Sequence, residues 1–389
     1  MDCRKYILTL LLCVAALLAS AQTGGYQSAD SASLSLYVAG DWKQLVTTGQ
    51  QMVADGTDFP ALRQRMGFAY FILGNYTAAI NEYEQVLKHN SYNQTARYYT
   101  YLSYKYLNND LFAARQESYL DSAAYQHVKH GRFSLVSAAL ESSFKMPGND
   151  NRGNAFYTRL GLSSRITNRL QLDQSVFYFN QAIYRGFGNF RVKHPDRQAE
   201  YFAGLNYAAT NRLTLMGAYH YLNTHYQTTT YHSNVFLAGL SYSGIYYDIQ
   251  GDINIGRIIN EDITQYNTKL TLYPLGNLNL YFSEQAAYLN GQNSNNFVFN
   301  QTAGYKVAKK VWLETSATFG ELNNYIEADG LYIYNAVDNT KLKLTQTVYY
   351  QLINNAMLQL NYTYEKKKDV FRAVNYNQHS ITAGILWKF

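Results

Sequence analysis

From about Ser31 to Ala124 the apolar residues return every three or four positions, the period of helices that each bury one stripe. Beyond Gly131 the period falls to two. In the run Ile245 to Ile255, the residues Ile245, Tyr247, Ile249, Ile253 and Ile255 share one face, while Tyr246, Asp248, Gln250, Asp252 and Asn254 take the other. Similar alternation occupies Leu278 to Phe282, Val311 to Phe319, Leu342 to Leu352 and Leu358 to Tyr364. Strand side chains point alternately to two faces, so each run has an apolar side and a wet side. The pattern predicts a short α-helical domain followed by an antiparallel β domain, with the border near residue 130.

The connections between the alternating runs decide what kind of β domain this is. Short turns are expected at Thr167-Asn168-Arg169, Thr210-Asn211-Arg212, Ser243-Gly244, Leu275-Gly276-Asn277, Lys309-Lys310 and Asn354-Asn355. Between them fall longer polar loops such as Met146 to Gly153, Gly186 to Asp196, Gly291 to Asn296 and Lys366 to Asn377. Short turns at one end and long loops at the other describe a transmembrane β-barrel of the outer-membrane kind. Strands are expected near 132–145, 154–166, 170–185, 197–209, 213–226, 231–243, 245–257, 262–273, 278–290, 297–307, 311–327, 331–353, 356–366 and 377–389. That is about 14 strands, an even number, as a barrel with both ends on the periplasmic side requires. Glu321 to Lys341 reads either as one long loop or as an extended hairpin. A secreted β-sandwich or jelly roll is the competing architecture, and its outer faces should carry more Lys and Glu than these runs do.

Within the helical part a repeat of about 34 residues is visible. Gly40-Asp41-Trp42 returns as Gly74-Asn75-Tyr76, and Asn109-Asp110-Leu111 follows at 35. The best copy, Ala61 to Asn93, places Gly67, Tyr70, Gly74, Tyr76, Ala79 and Tyr83 at the spacings of a tetratricopeptide repeat, which it resembles. The small residues let paired helices approach, and the aromatic rings fill the space between them. The proline usual at the end of the second helix is absent, and a plain helical bundle is the alternative.

Residues 1–21 read as a signal peptide: Arg4 and Lys5, an apolar core from Ile7 to Leu18, then Ala19-Ser20-Ala21. The expected domains are therefore 1–21, a periplasmic helical domain over 22–130 and the barrel over 131–389. Cys3 and Cys13 both lie in the signal segment, which leaves the mature chain without thiolate chemistry or disulfides. Aromatic residues make up 16% of the 389 positions, with 39 Tyr, and charged residues only 15%, against about one quarter in an average soluble protein. A wall with one face toward lipid explains the low charge and the Tyr of the barrel, whereas in the repeats Tyr70, Tyr76 and Tyr83 fill helix-pair interfaces. The formal net charge of +6 resides in the barrel segment. The helical segment is nearly neutral, so no nucleic-acid partner is expected.

The barrel register assigns Arg159, Arg165, Asp248, Asp252, Lys269, Glu314, Lys343 and Glu365 to the lumen, together with Asp173, Glu200 and Lys388. Their mixed signs describe a solvated or cross-linked interior rather than a strong ion filter. A lipid-acting barrel enzyme would need Ser beside His on one wall, but His379-Ser380 and His232-Ser233 are strand neighbours and diverge, as do His220 and His225. His127 and His130 lack an evident third ligand. No catalytic residue, metal site or cofactor is expected, and the protein is expected not to be an enzyme.

The last strand, His379 to Phe389, sets Ile381, Ala383, Ile385, Trp387 and Phe389 on one face. It resembles the C-terminal signal of barrels inserted by the outer-membrane assembly machinery, with Ile385, Trp387 and Phe389 as its core. Taken whole, the chain resembles outer-membrane barrels with a periplasmic tetratricopeptide segment, the order found in polysaccharide exporters and in YaiO-like barrels. The resemblance implies a Gram-negative outer membrane, contact with its lipid and lipopolysaccharide, a periplasmic protein partner for the repeats, and a barrel that anchors the assembly or passes a solute or polymer. A lipid-modifying enzyme and a surface adhesion barrel are the alternatives.

Overall fold

The structure is a computed structural model that describes residues 25–121, 133–186, 191–291 and 295–389. The signal segment, His127, His130 and the border at residue 130 lie outside the described residues. The chain divides into two compact units. One holds residues 25–108 and 119–121; the other holds residues 109–118 and the barrel.

The first unit consists of α1 (25–39), α2 (Trp42–Ala54), α3 (Pro60–Ile72), α4 (Tyr76–His89) and α5 (Gln94–Tyr106). Each break in the helical pattern has a local cause. Gly40 and Gly74 take left-handed backbone (φ 71° and 76°), a conformation that costs glycine little. Asp41 and Asn75 follow as N-caps, accepting from the Gln44 and Ala78 amides at 3.2 and 3.1 Å. Helices α3 and α4 meet where Gly67 leaves room for the Tyr83 ring. A Cβ at Gly67 would lie 3.0 Å from that ring, which is fully buried and stacks on Tyr99. Leu62, Met66, Tyr70, Ala79 and Val86 complete this core. Tyr76 stacks on Tyr106 at 4.8 Å.

The second unit begins with α6 (Asp110–Glu117), capped by Asn109. The preceding Asn108 takes the left-handed place of Gly40 and Gly74 (φ 54°). The caps therefore fall at 41, 75 and 109, and the third copy keeps the 34-residue spacing rather than the 35 expected. Helix α6 is held by the barrel: Glu117 pairs with Arg165 at 2.7 Å and Arg115 donates to the Ala208 carbonyl at 3.0 Å.

Fourteen antiparallel strands close the barrel: β1 (Ser134–Pro147), β2 (Arg152–Thr167), β3 (Leu170–Arg185), β4 (Val192–Ala208), β5 (Leu213–Tyr226), β6 (Thr229–Ser243), β7 (Tyr247–Ile258), β8 (Glu261–Leu272), β9 (Leu280–Gly291), β10 (Asn295–Ala308), β11 (Val311–Phe319), β14 (Asn339–Ile353), β15 (Ala356–Lys368) and β16 (Asn375–Lys388). Strand β16 pairs with β1 from Ser137↔Lys388 to Pro147↔Gln378, so no edge remains open. Leu140, Phe156, Leu160, Phe236, Ile255 and Leu360 are all about half exposed on the outer face. Ile385, Trp387 and Phe389 share this outward face.

Two strands were expected at 311–327 and 331–353. The wall strands β11 and β14 are shorter, because Tyr325-Ile326-Glu327 and Tyr332-Ile333-Tyr334 alternate as strands but pair with each other, as β12 (Tyr325–Glu327) and β13 (Tyr332–Tyr334), in a separate ribbon. At the long-loop end, two connections, Gln227-Thr228 and Ile259-Asn260, are two-residue turns with left-handed backbone at Gln227, Ile259 and Asn260.

Candidate functional site

Residues 320–338 leave the wall at the long-loop end and fold into the lumen as the β12–β13 hairpin. Gly320 permits the departure: its φ of 123° and the Phe297 carbonyl, 2.3 Å from where a Cβ would stand, both exclude a side chain. One side of the hairpin is dry. Leu322 and Tyr325 pack on Ala287, Leu289 and Val298, and Ile326 packs on Val235, Ile258 and Ile263. Leu322, Tyr325 and Ile326 are at most 1% exposed, and burial of the Leu322 and Ile326 side chains contributes about 1.5–3 kcal/mol each. Gln265 clamps the ribbon from the wall like a neighbouring strand: it accepts from the Ile326 amide at 2.9 Å and donates to the Ile326 carbonyl at 2.7 Å.

The other side is wet and bound by charge. Tyr332 donates to Glu141 at 2.9 Å, and Glu141 pairs with Arg159 at 3.0 Å. Lys343 holds Glu327 at 2.6 Å, Lys269 approaches Asp329 at 3.7 Å, and Gln250 donates to Asp329 at 2.7 Å. The buried His220 ring lies between the Gly330 carbonyl (2.8 Å) and the Glu200 carboxylate (2.9 Å).

Of the sequence-assigned lumen residues, Arg159, Lys269 and Lys343 thus engage the hairpin or its immediate partners. Glu314 accepts from Tyr281 and Tyr349, and Glu365 accepts from Gln378 at 2.6 Å with Lys367 at 3.9 Å. Asp252 accepts from Gln250, Asn254 and Asn267, and Asp248 from Tyr273. Arg165 stands apart, at α6. Sequence reasoning missed Glu141, Lys145, Asp196, Lys367 and the hairpin's Glu327. Parity along β1 was the signal for the first two, since Glu141, Ser143 and Lys145 share one face. Among the described residues no three His, Cys, Asp or Glu side chains are grouped to hold a metal.

The hairpin's wet side and the wall from β11 and β14 through β16 and β1 to β4 enclose a cavity of about 540 Å³. Six carboxylates (Glu141, Asp196, Glu200, Glu314, Glu327 and Glu365) and three lysines (Lys145, Lys343 and Lys367) line it. A second cavity of about 280 Å³ touches the hairpin tip at Ala328, Asp329 and Leu331 and includes Arg159, Asp173 and Asn206. Ala328 borders both. Above the hairpin, at its return to the wall, Arg152 makes two hydrogen bonds to Asp338 (2.6 and 2.7 Å) and lies 3.3 Å from Asp369, all three side chains at most 2% exposed. Tyr376 also donates to Asp338, at 2.6 Å. Burial pushes the Asp369 carboxyl up, but Asn149, the Phe371 amide and Arg152 outweigh it and hold the group below the ordinary carboxylate range.

No protein-family model matches the chain, and no characterised protein matches it in sequence. Among solved structures it is similar to the Pseudomonas putida toluene transporter TodX, at 10% identity over 68% of this chain and 91% of that one, with a TM-score of 0.45. It is also similar to a Pseudomonas aeruginosa FadL homologue (8% identity, 72% and 94%, TM-score 0.44) and to the Acinetobacter baumannii outer membrane protein Omp33 (9% identity, 66% and 99%, TM-score 0.40).

Proposed function

We propose that this chain is a non-enzymatic barrel of a Gram-negative outer membrane that passes a small polar solute along the wet side of its inserted hairpin. The two-sidedness of that hairpin carries the reading. Its apolar residues fix it to the β6–β10 wall, while a polar cavity remains on the opposite side, so the ribbon narrows the lumen without filling it. The long loops face outward and the short turns and helices face the periplasm, where the helix pairs, read as tetratricopeptide-like repeats, dock a partner protein. The helix contact at Gly67 and Tyr83 and the 34-residue recurrence of caps support that reading.

Planar-bilayer recording on the purified mature chain tests the path. Small, steady conductance is expected from the wild type, and a severalfold larger, noisier one from Ile326→Asp, which places a charge on the dry side. A wild type that stays silent, with Ile326→Asp silent as well, would leave the barrel as an anchor. Docking is tested separately by affinity capture from envelope extract with and without residues 25–108, where an identical set of captured proteins would remove the repeats from the account.

A further inference from the structure

Most charged groups in the larger cavity are matched within the protein. Glu141, Glu200, Glu314, Glu327 and Glu365 each have the partners described above. Lys145 and Asp196 are different: both line the cavity, and neither has a hydrogen-bond or ion-pair partner among the described residues. Asp196 is only 7% exposed. Asp196 is a buried group without a counter-charge, which is costly, and the half-buried Lys145 reaches Glu365 and Glu200 only across the cavity without an ion pair, so the two are placed to receive charges from elsewhere.

The strand register gives their spacing. Lys145 pairs with Ala155, Ala155 with Gln181, and Gln181 with Asp196, so the two residues stand on one level of the wall. Three strand spacings of about 4.8 Å, roughly 14 Å in all, separate their backbones, and inward-pointing side chains shorten that distance. Two buried hydroxyls without partners flank the same level: Ser380 Oγ, on the residue paired with Lys145, and Tyr157 OH, one inward step from Ala155. Between the charges lie the small Ala155, Gln181, whose amide donates to the Gly153 carbonyl at 3.0 Å, and the Phe179 ring, whose centre is 5.9 Å from Lys145 Nζ.

We infer that this cavity binds short zwitterionic peptides, with the terminal ammonium on Asp196 and the terminal carboxylate on Lys145 and Ser380. Three residues at about 3.3–3.6 Å each span the interval, and about 540 Å³ lies within the usual range for small-ligand sites, roughly 300–1,000 Å³. The inference rests on the lumen being a solute path and adds the class of solute.

Calorimetric titration of trialanine into the full mature chain in detergent tests it, alongside N-acetyl-trialanine and trialanine amide. Trialanine should bind at least tenfold more tightly than either blocked form. Lys145→Gln should lose that tenfold and become indifferent to amidation, Asp196→Asn should become indifferent to acetylation, and Lys145→Arg should bind within about threefold of the wild type. No heat of binding from trialanine, or equal binding of all three peptides, overturns the assignment. Binding by a barrel that is silent in the bilayer sinks the solute path and leaves the site standing; conductance without binding does the reverse.

Discussion

Arg63 holds two carboxylates in unlike surroundings, Asp58 at 2.7 Å with its side chain 47% exposed and Glu82 at 2.8 Å with 9%. The half-exposed pair is screened and contributes under about 1 kcal/mol. The Glu82 pair is different, since removing its partner strands a buried charge. Arg63→Ala should therefore destabilise the helices by roughly 2–3 kcal/mol, and adding Glu82→Gln should restore part of it, read from the 222 nm melting curve of the full chain. The hydrogen bond from Arg63 holds the Asp58 carboxyl below its ordinary value. Its small contribution is therefore full above about pH 4 and is lost as pH falls through the lowered folded value. At the same scale, Gly67→Ala adds a methyl 3.0 Å from the enclosed Tyr83 ring. The clash outweighs the helix propensity gained, for a net loss of about 1 kcal/mol in the same melt. The glycine's role was legible beforehand because a helix rarely keeps Gly unless something must approach it. Parity along β1 made the inward side of Lys145 legible, but not that its charge and that of Asp196 stand without an ion pair, because that depends on neighbours on other strands.

Among the elements, the wall strands could be read because each has to keep lipid on one face, and that obligation writes a period of two. The β12–β13 ribbon obeys the same period for another reason: its apolar side meets the inside of the wall. From alternation alone Tyr325-Ile326 continues β11 and Ile333-Tyr334 begins β14, and only the departure at Gly320 separates them. What holds the ribbon's return is the Arg152 cluster. Arg152→Ala leaves the buried Asp338 and Asp369 without their cation, at a cost of about 3–5 kcal/mol. Protease cleavage within 320–338 should become rapid and conductance larger, with Asp338→Asn in addition reversing part of the change; an unaltered digest would separate the cluster from hairpin anchoring. The depressed Asp369 carboxyl adds a pH window, since stability from a lowered pKa is complete above the unfolded value and fades below it. Channel noise should stay constant from pH 7 down to about 4 and increase below that.

For the whole molecule, the excess of carboxylates over lysines around the larger cavity sets a sign that the inventory along the sequence did not show, because Glu327 arrives from the hairpin and Asp196 and Glu141 escaped notice. Reversal potentials under a KCl gradient should favour K⁺ over Cl⁻, more so at low ionic strength, where the screening length exceeds the width of the cavity. Glu365→Gln should weaken that preference, and a preference for Cl⁻ would contradict the assigned lining. The strand order also places the ribbon between two halves of the wall. The hairpin's dry partners, β6 to β10, precede it in the chain, whereas β14, β15 and β16 follow it, and the seam closes only when β16 meets β1. The ribbon is therefore enclosed by wall strands from both sides of it in the chain, so that its enclosure is complete only in the sealed cylinder.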